Sequence, residues 1–217
     1  MSKYNQGILG PFSGKTGTVV GSFWKGRFVM RGRPTHMTNP NTPAQQTQRA
    51  RFSLVSEALA PLRPAVNEGF AVRADIDNVT PVNVAMQVNM EQAVTGSGTN
   101  VQIDWNRFMI AGGTQLNVEQ PSATAAASHN INVTWTNNAG VDMSVLDDDR
   151  VMMAAYNTTK KLAAFDLVTA CRDDQSAVLH VPSTWVGDTV KVFIFTQSRD
   201  KSRVSPSEMC GSITILA

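Results

Sequence analysis

Acidic residues are missing from the first 51 positions of this 217-residue chain, which carry eight Lys and Arg and no Asp or Glu. Cysteine is nearly absent as well. Cys171 and Cys210 are the two in the sequence, too few and too far apart for a disulfide framework, and with no CxxC spacing or adjacent His to make a metal knuckle. Both are expected to be small packing residues. No window reaches the roughly 18 uninterrupted apolar residues of a spanning helix, so no membrane span is expected. The first residues lack a charged segment followed by an apolar run of Sec type. The expectation is synthesis in the cytoplasm without a Sec signal peptide, with a virion or extracellular assembly as the final location.

Residues for chemistry are also scarce. His36, His129 and His180 share no metal-binding spacing, and Gly14-Lys15-Thr16 fails the GxxxxGKT pattern because Leu9 stands where its first glycine belongs. Asp147-Asp148-Asp149 and Asp173-Asp174 lack the alternating oxygen ligands and the glycine of a calcium loop, and read as solvated turns. The chain is therefore read as a non-enzyme, with no catalytic residue, cofactor or metal assigned.

What is present is organised. A +8 leader is joined to a −6 remainder, a segregation that favours contact between the leader of one copy and the body of the next. It equally suits nucleic acid, whose affinity for clustered Lys and Arg comes mostly from phosphate neutralisation.

Three regions are expected: residues 1–34 as a basic glycine-rich hairpin arm, 35–114 as a linker and helical α+β region, and 115–217 as a β-sandwich. In the first, Gly17 to Trp24 forms one arm, Lys25-Gly26 the turn and Arg27 to Arg33 the other arm. The alternation places Arg27, Arg31 and Arg33 largely on one face. A two-stranded ribbon is marginal in water and must pack on something. The candidate interaction residues are therefore Val19, Val20, Phe23, Trp24, Phe28 for apolar burial and Lys25, Arg27, Arg31, Arg33 for register.

Residues 34–43 hold three prolines among small polar residues and read as an extended linker. Thr42 caps a helix with Pro43 at its first position, expected to end near Leu59 before Pro61 and to show Phe52, Val55, Leu59 and Leu62 on one side. A second start at Thr80-Pro81 leads a weaker helical pattern to Gly96, with Met86 and Met90 as core fillers. From Val101 the texture changes to strands, at 101–105 and 108–110. An Ala/Ser-rich link at 121–128 follows, then strands at 131–135, 151–156, 162–167, 177–181, 190–196 and 212–215.

The segments INVTWT, VMMAAYN, AVLHVP and DTVKVFIFTQS resemble a fibronectin type III or related immunoglobulin-like module, with Trp135 in its second strand. Phe193 and Phe195 stand where that family commonly has a tyrosine. The leader, with Gly14-Lys15, Gly17-Thr18-Val19-Val20-Gly21, Trp24-Lys25-Gly26 and Thr42-Pro43-Ala44-Gln45, is similar to an uncharacterised family found in Bacteroidota genomes and in gut phage and prophage sequences. That likeness implies a modular, non-enzymatic chain with a phage-structural association and transfers no catalytic residue. The fold expectation is mainly β with a small α+β N-terminal region: a hairpin, one or two helices, and an immunoglobulin-like sandwich. The leading functional expectation is a structural or assembly protein whose arm docks on other copies or neighbouring structural subunits. Its rivals are a nucleic-acid-binding module using the same basic residues, and a carbohydrate- or surface-binding sandwich.

Overall fold

The structure, a computed structural model, describes residues 3–4, 10–34, 36, 41–98 and 100–217. The chain divides into two compact units, residues 1–41 and 42–217. Half of the linker expected at 34–43, residues 35 and 37–40, lies outside the described residues.

The first unit contains an antiparallel sheet of β1 (Lys3–Tyr4), β2 (Phe12–Thr16), β3 (Val19–Trp24) and β4 (Arg27–Gly32), in that order. The expected hairpin is its last two strands. Lys25 and Gly26 take φ of 44° and 78°, the paired left-handed conformations of a two-residue turn whose twist matches its strands. The arm expected to begin at Gly17 is divided: Gly17 and Thr18 make a second tight turn, with Thr16 opposite Val19, and an additional strand lies upstream. Gly21 accounts for the fit of β2. A Cβ there would lie 2.2 Å from the Phe12 carbonyl oxygen and 2.8 Å from its ring, so only glycine admits Phe12 over β3.

The second unit opens with α1 (Pro43–Gly69), whose Thr42 Oγ1 accepts the Gln45 N–H at 3.4 Å. The expected end before Pro61 is incorrect, because the helix continues through Pro61 and Pro64. The buried face explains this. Val55, Ala58, Leu59, Leu62, Ala65, Val66 and Gly69 recur at helical spacing across both prolines, while the carbonyls that lose their partners belong to Glu57 and Ala60, exposed residues facing water. Phe52, expected on the apolar stripe, is exposed. A short α2 (Ala71–Ile76), absent from the sequence reading, precedes α3 (Pro81–Gln92), where Thr80 Oγ1 caps the Asn83 N–H. Met86 and Met90 pack against the core as expected.

After α3, β5 (Val94–Thr95) pairs with β6 (Gln102–Ile103). The strand expected at 108–110 is instead a loop with Phe108 and Ile110 buried. Side chains satisfy its backbone: Asn89 accepts from the Met109 N–H at 2.8 Å and donates to its carbonyl at 2.7 Å, and Ser207 Oγ accepts from the Ile110 N–H at 2.8 Å. Apolar residues can therefore be buried there without a ladder.

The remainder is a β-sandwich. Its sheets are β11 (Ser176–His180), β8 (Asn130–Thr136), β7 (Glu119–Ala126) and β10 (Leu162–Cys171), β9 (Arg150–Asn157), β12 (Thr189–Gln197), β13 (Glu208–Thr214), each in that order and antiparallel. This three-plus-four arrangement agrees with the expected immunoglobulin-like sandwich. The Ala/Ser-rich stretch read as a link is the strand β7, whose small side chains pack where bulky ones are not needed: Ala123 Cβ sits 3.2 Å from the position a Gly211 Cβ would take.

Two cores meet at the four-stranded sheet. Val151, Met153, Ala155, Val190, Val192 and Ile194 face the three-stranded sheet, with Ile131, Val133, Trp135 and Leu179. Met152, Ala154, Tyr156, Phe193 and Phe195 face the helices, with Leu59, Leu62, Val66 and Phe70. Burial on both sides is why VMMAAY and VFIF are continuous apolar runs instead of alternating ones. At roughly 1.5–3 kcal/mol for each large side chain buried, this doubly covered sheet anchors the unit.

Candidate interaction surfaces

Strand register sorts the predicted interaction residues onto two faces of the N-terminal sheet. Residues paired across strands project to the same side. Val20, Ser22 and Trp24 on β3 pair with Arg31, Val29 and Arg27 on β4, while Lys15 on β2 pairs with Val20 and Lys3 on β1 with Ser13. This side combines Lys3, Lys15, Arg27 and Arg31 with Trp24 and Val29. On the other side Phe23 pairs with Phe28, Gly21 with Met30 and Thr16 with Val19, and Phe12 lies against Gly21. That side is apolar and aromatic.

Of the nine residues singled out, Val19, Phe23 and Phe28 thus share one face and Val20, Trp24, Arg27 and Arg31 the other. Lys25 occupies the turn, its Nζ 5.6 Å from the Trp24 ring centroid. Arg33 follows β4, its N–H donating to the Thr18 carbonyl at 2.6 Å. Sequence reading missed Phe12, Met30, Lys3 and Lys15. The signals available were the Gly17-Thr18 turn, which sets Phe12 and Lys15 in register once β2 is recognised, and the Lys25-Gly26 turn, which sets Met30 opposite Gly21.

Large apolar groups remain in solvent on both faces. Phe23 is 58% exposed, Phe28 54%, Met30 66% and Trp24 50%. The Phe23 and Phe28 rings pack at 4.8 Å between centroids, which orders the apolar face without covering it. All described strands of this unit lie in the one sheet.

A second notable group lies at one end of the sandwich. Arg172 and Asp149 are buried, with Arg172 Nη2 3.3 Å from Asp149 Oδ2. Arg172 also donates to Asn138 Oδ1, to the carbonyls of Leu116 (3.0 Å) and Asn117 (3.3 Å), and to Thr196 Oγ1 (3.3 Å). Asp149 Oδ2 accepts from Gln115 Nε2 at 2.7 Å and from the Leu146 N–H at 3.0 Å. Burial pushes the Asp149 carboxyl above its ordinary range, against the pull of the Leu146 N–H and Arg172. Burial likewise pushes Arg172 down, against the pull of Asp149. Desolvation opposing the attraction is the usual condition of a buried pair, whose worth lies in the groups it ties together. Here it ties residues 115–117, the loop 137–149 and β12. In sequence Arg172 follows a strand, beside two aspartates, and looks like a surface charge.

The Gly-Lys-Thr, histidine and cysteine residues, to which no chemistry is assigned, lie in separate elements and loops. Gly14-Lys15-Thr16 is part of β2. His36 is exposed, His129 sits in the β7–β8 turn, and His180 Nδ1 lies 2.6 Å from Asn130 Oδ1. Cys171 and Cys210 are free and half-buried, with Cys210 pushed up to about 12 by burial. No helix among the described residues is long and apolar enough to cross a membrane.

The chain belongs to the family of unknown function DUF6266, whose family model matches residues 11–211. No curated protein and no solved structure matches it. The family match spans both units, from just before β2 of the N-terminal sheet into the last strand of the sandwich.

Proposed function

We propose that this protein is a non-enzymatic assembly subunit that joins neighbouring subunits through its N-terminal sheet. One observation carries the reading: a single sheet holds aromatic and apolar side chains in solvent on both faces, Phe23, Phe28 and Met30 on one and Trp24 on the other. Exposed apolar groups clustered in this way mark interaction surfaces, and a sheet is stable when a second layer covers it. The resemblance to phage and prophage sequences supports a virion or filament as the setting.

Size bears on how the joint is made. Strands of two, five, six and six residues, at about 3.4 Å per residue and about 4.8 Å apart, give a face of roughly 300 Å². That is under half of the roughly 800 Å² each partner contributes to a standard interface. One face is thus too small for a tight dimer, and a joint of this kind needs both faces or many copies.

The test is the mass of the full-length protein in solution by light scattering, across a concentration series, beside the double variant Phe23→Ser/Phe28→Ser. The expected outcome is concentration-dependent assembly by the native chain and a monomer for the variant, with the thermal midpoint of the body unchanged. A native chain that stays monomeric up to about 1 mM, where an association would be worth about 4 kcal/mol or less, overturns the proposal.

A second reading has its own observation. Lys3, Lys15, Arg27 and Arg31 share a face with Trp24, a basic surface with a stacking aromatic such as single-stranded nucleic acid uses. Salt-dependent binding of arbitrary DNA by the monomer would favour it.

A further inference from the structure

The loop between β8 and β9, residues 137–149, is the opposite in charge of the N-terminal sheet and, like it, holds large apolar side chains in solvent. It contains Asp142, Asp147, Asp148 and Asp149 and no Lys or Arg, whereas residues 1–41 contain six Lys and Arg and no Asp or Glu; Asp149 is buried with Arg172 and Asp148 pairs with Arg199 at 3.3 Å, and the exposed carboxylates are Asp142, Asp147 and Asp148. Val141, Met143 and Leu146 project from it, Met143 with 98% of its surface in solvent. These side chains have no shelter, yet the backbone beneath them is held firmly. Gly140 N–H donates to the Val145 carbonyl at 3.1 Å, Asp149 N–H to the Leu146 carbonyl at 3.2 Å and Ser144 N–H to Asp142 Oδ1 at 3.0 Å. Asn138 donates to the Asn117 carbonyl at 2.8 Å and accepts from Arg172. The buried Arg172–Asp149 pair therefore serves as a mount that presents an apolar, acidic loop in one conformation, so little ordering entropy is lost when a partner covers it.

We infer that this loop is the acceptor for the basic face of the N-terminal sheet of a second copy, with Met143 and Val141 against Trp24 and Val29, and Asp142, Asp147 and Asp148 facing Arg27, Arg31 and Lys15. The inference rests on the assembly reading above and identifies the partner. The two patches differ and neither is complementary to itself, since basic faces repel each other. The contact is heterologous and generates a ring or an open filament instead of a two-fold dimer. It also engages the second face of a sheet whose apolar face alone is too small for a stable joint. The opposed charges lie on exposed side chains, so salt screens them: the Debye length falls from about 10 Å at 0.1 M to about 3 Å at 1 M.

The experiment uses the full chain and charge exchange. Arg27→Asp/Arg31→Asp forms one variant and Asp147→Lys/Asp148→Lys another, with mass followed by light scattering at low salt. Each alone is expected to weaken assembly at least tenfold, and mixing the two, which supplies both the native sheet–loop pairing and its charge-exchanged counterpart, to recover a mixed complex. In parallel, Val29→Cys/Met143→Cys in one chain, mildly oxidised, is expected to give a ladder of covalent oligomers on a non-reducing gel, and each single variant no ladder. Charge variants that assemble like the native chain, a mixture that fails to recover, or a cross-link confined to the monomer each overturn the inference while leaving the assembly reading intact. A native chain without any assembly overturns both.

Discussion

The N-terminal sheet and the sheet β10-β9-β12-β13 have four antiparallel strands each, yet their surroundings differ entirely. The second is covered on one side by helices and on the other by a three-stranded sheet, and residues 151–157 of its central strand β9 are all buried. In the first, every residue of β4 is exposed. Strand formers occur in both, with Val and Phe common to each. The contrast shows that a sheet in this chain can be stable through its own layers, or through turns, register and whatever it meets outside. The composition marks which is which: the covered sheet reads as continuous apolar runs, and the open one alternates apolar with basic.

This contrast can be broken most sharply at its buried charge. Asp149→Ala leaves Arg172 buried without its partner and is expected to cost about 3–5 kcal/mol, measured as a fall in urea midpoint. Replacing both, Arg172→Met with Asp149→Leu, is expected to cost clearly less, because the uncompensated charge is gone. Equal losses for the single and double variants would mean that the hydrogen bonds to residues 115–117 and 137–149 matter more than charge.

The two sheets can next be separated by paired glycine substitutions. A Cβ on Gly69 would meet the Ile110 carbonyl oxygen at 2.5 Å and Ala111 Cβ at 2.6 Å, and a Cβ on Gly21 the Phe12 carbonyl oxygen at 2.2 Å. Overpacking of this kind costs about 1–3 kcal/mol. Gly69→Ala is expected to lower the main thermal transition. Gly21→Ala is expected to leave that transition in place while increasing proteolysis of the first 40 or so residues, which separate as their own unit. A common shift in both variants would show that the units unfold together.

The smallest effect is a rate. Burial raises the Cys210 thiol to about 12, so almost no thiolate exists at pH 8, and alkylation is expected to wait for the second unit to open. Mass spectrometry of the labelled peptide would follow it, and labelling as fast as for an unfolded control would show that β13 is loosely held.

Much of the architecture was legible. Turn chemistry at Lys25-Gly26, the Thr-Pro caps at Thr42-Pro43 and Thr80-Pro81, the alternation of β8 and the apolar runs of β9 and β12 are local signals with local causes. The failures share a cause of the opposite kind. Pro61 and Pro64 did not end α1 because their lost hydrogen bonds face water while the buried stripe continues. Phe108 and Ile110 looked like a strand because Asn89 and Ser207, distant in sequence, supply the polar partners a ladder would have supplied. Residues 121–128 looked like a link because a strand packed closely against its neighbour needs small side chains.

For the interaction surfaces, the basic, acid-free leader and its aromatic residues were evident from composition, as was the need of a short ribbon for cover. The common face of Arg27 and Arg31 was legible too, from their alternation with Phe28 and Met30; the addition of Lys3, Lys15 and Phe12 to the two faces was not, because it depends on a second turn at Gly17-Thr18 and on the pairing of β1 and β2. Nor was the rigid acidic loop 137–149, since its support comes from an arginine some twenty residues beyond it that looks solvated in sequence and is buried in the fold. Propensity, capping and charge balance act between neighbours and can be read along a line. Burial, register and the pairing of distant polar groups depend on what the rest of the chain places beside them.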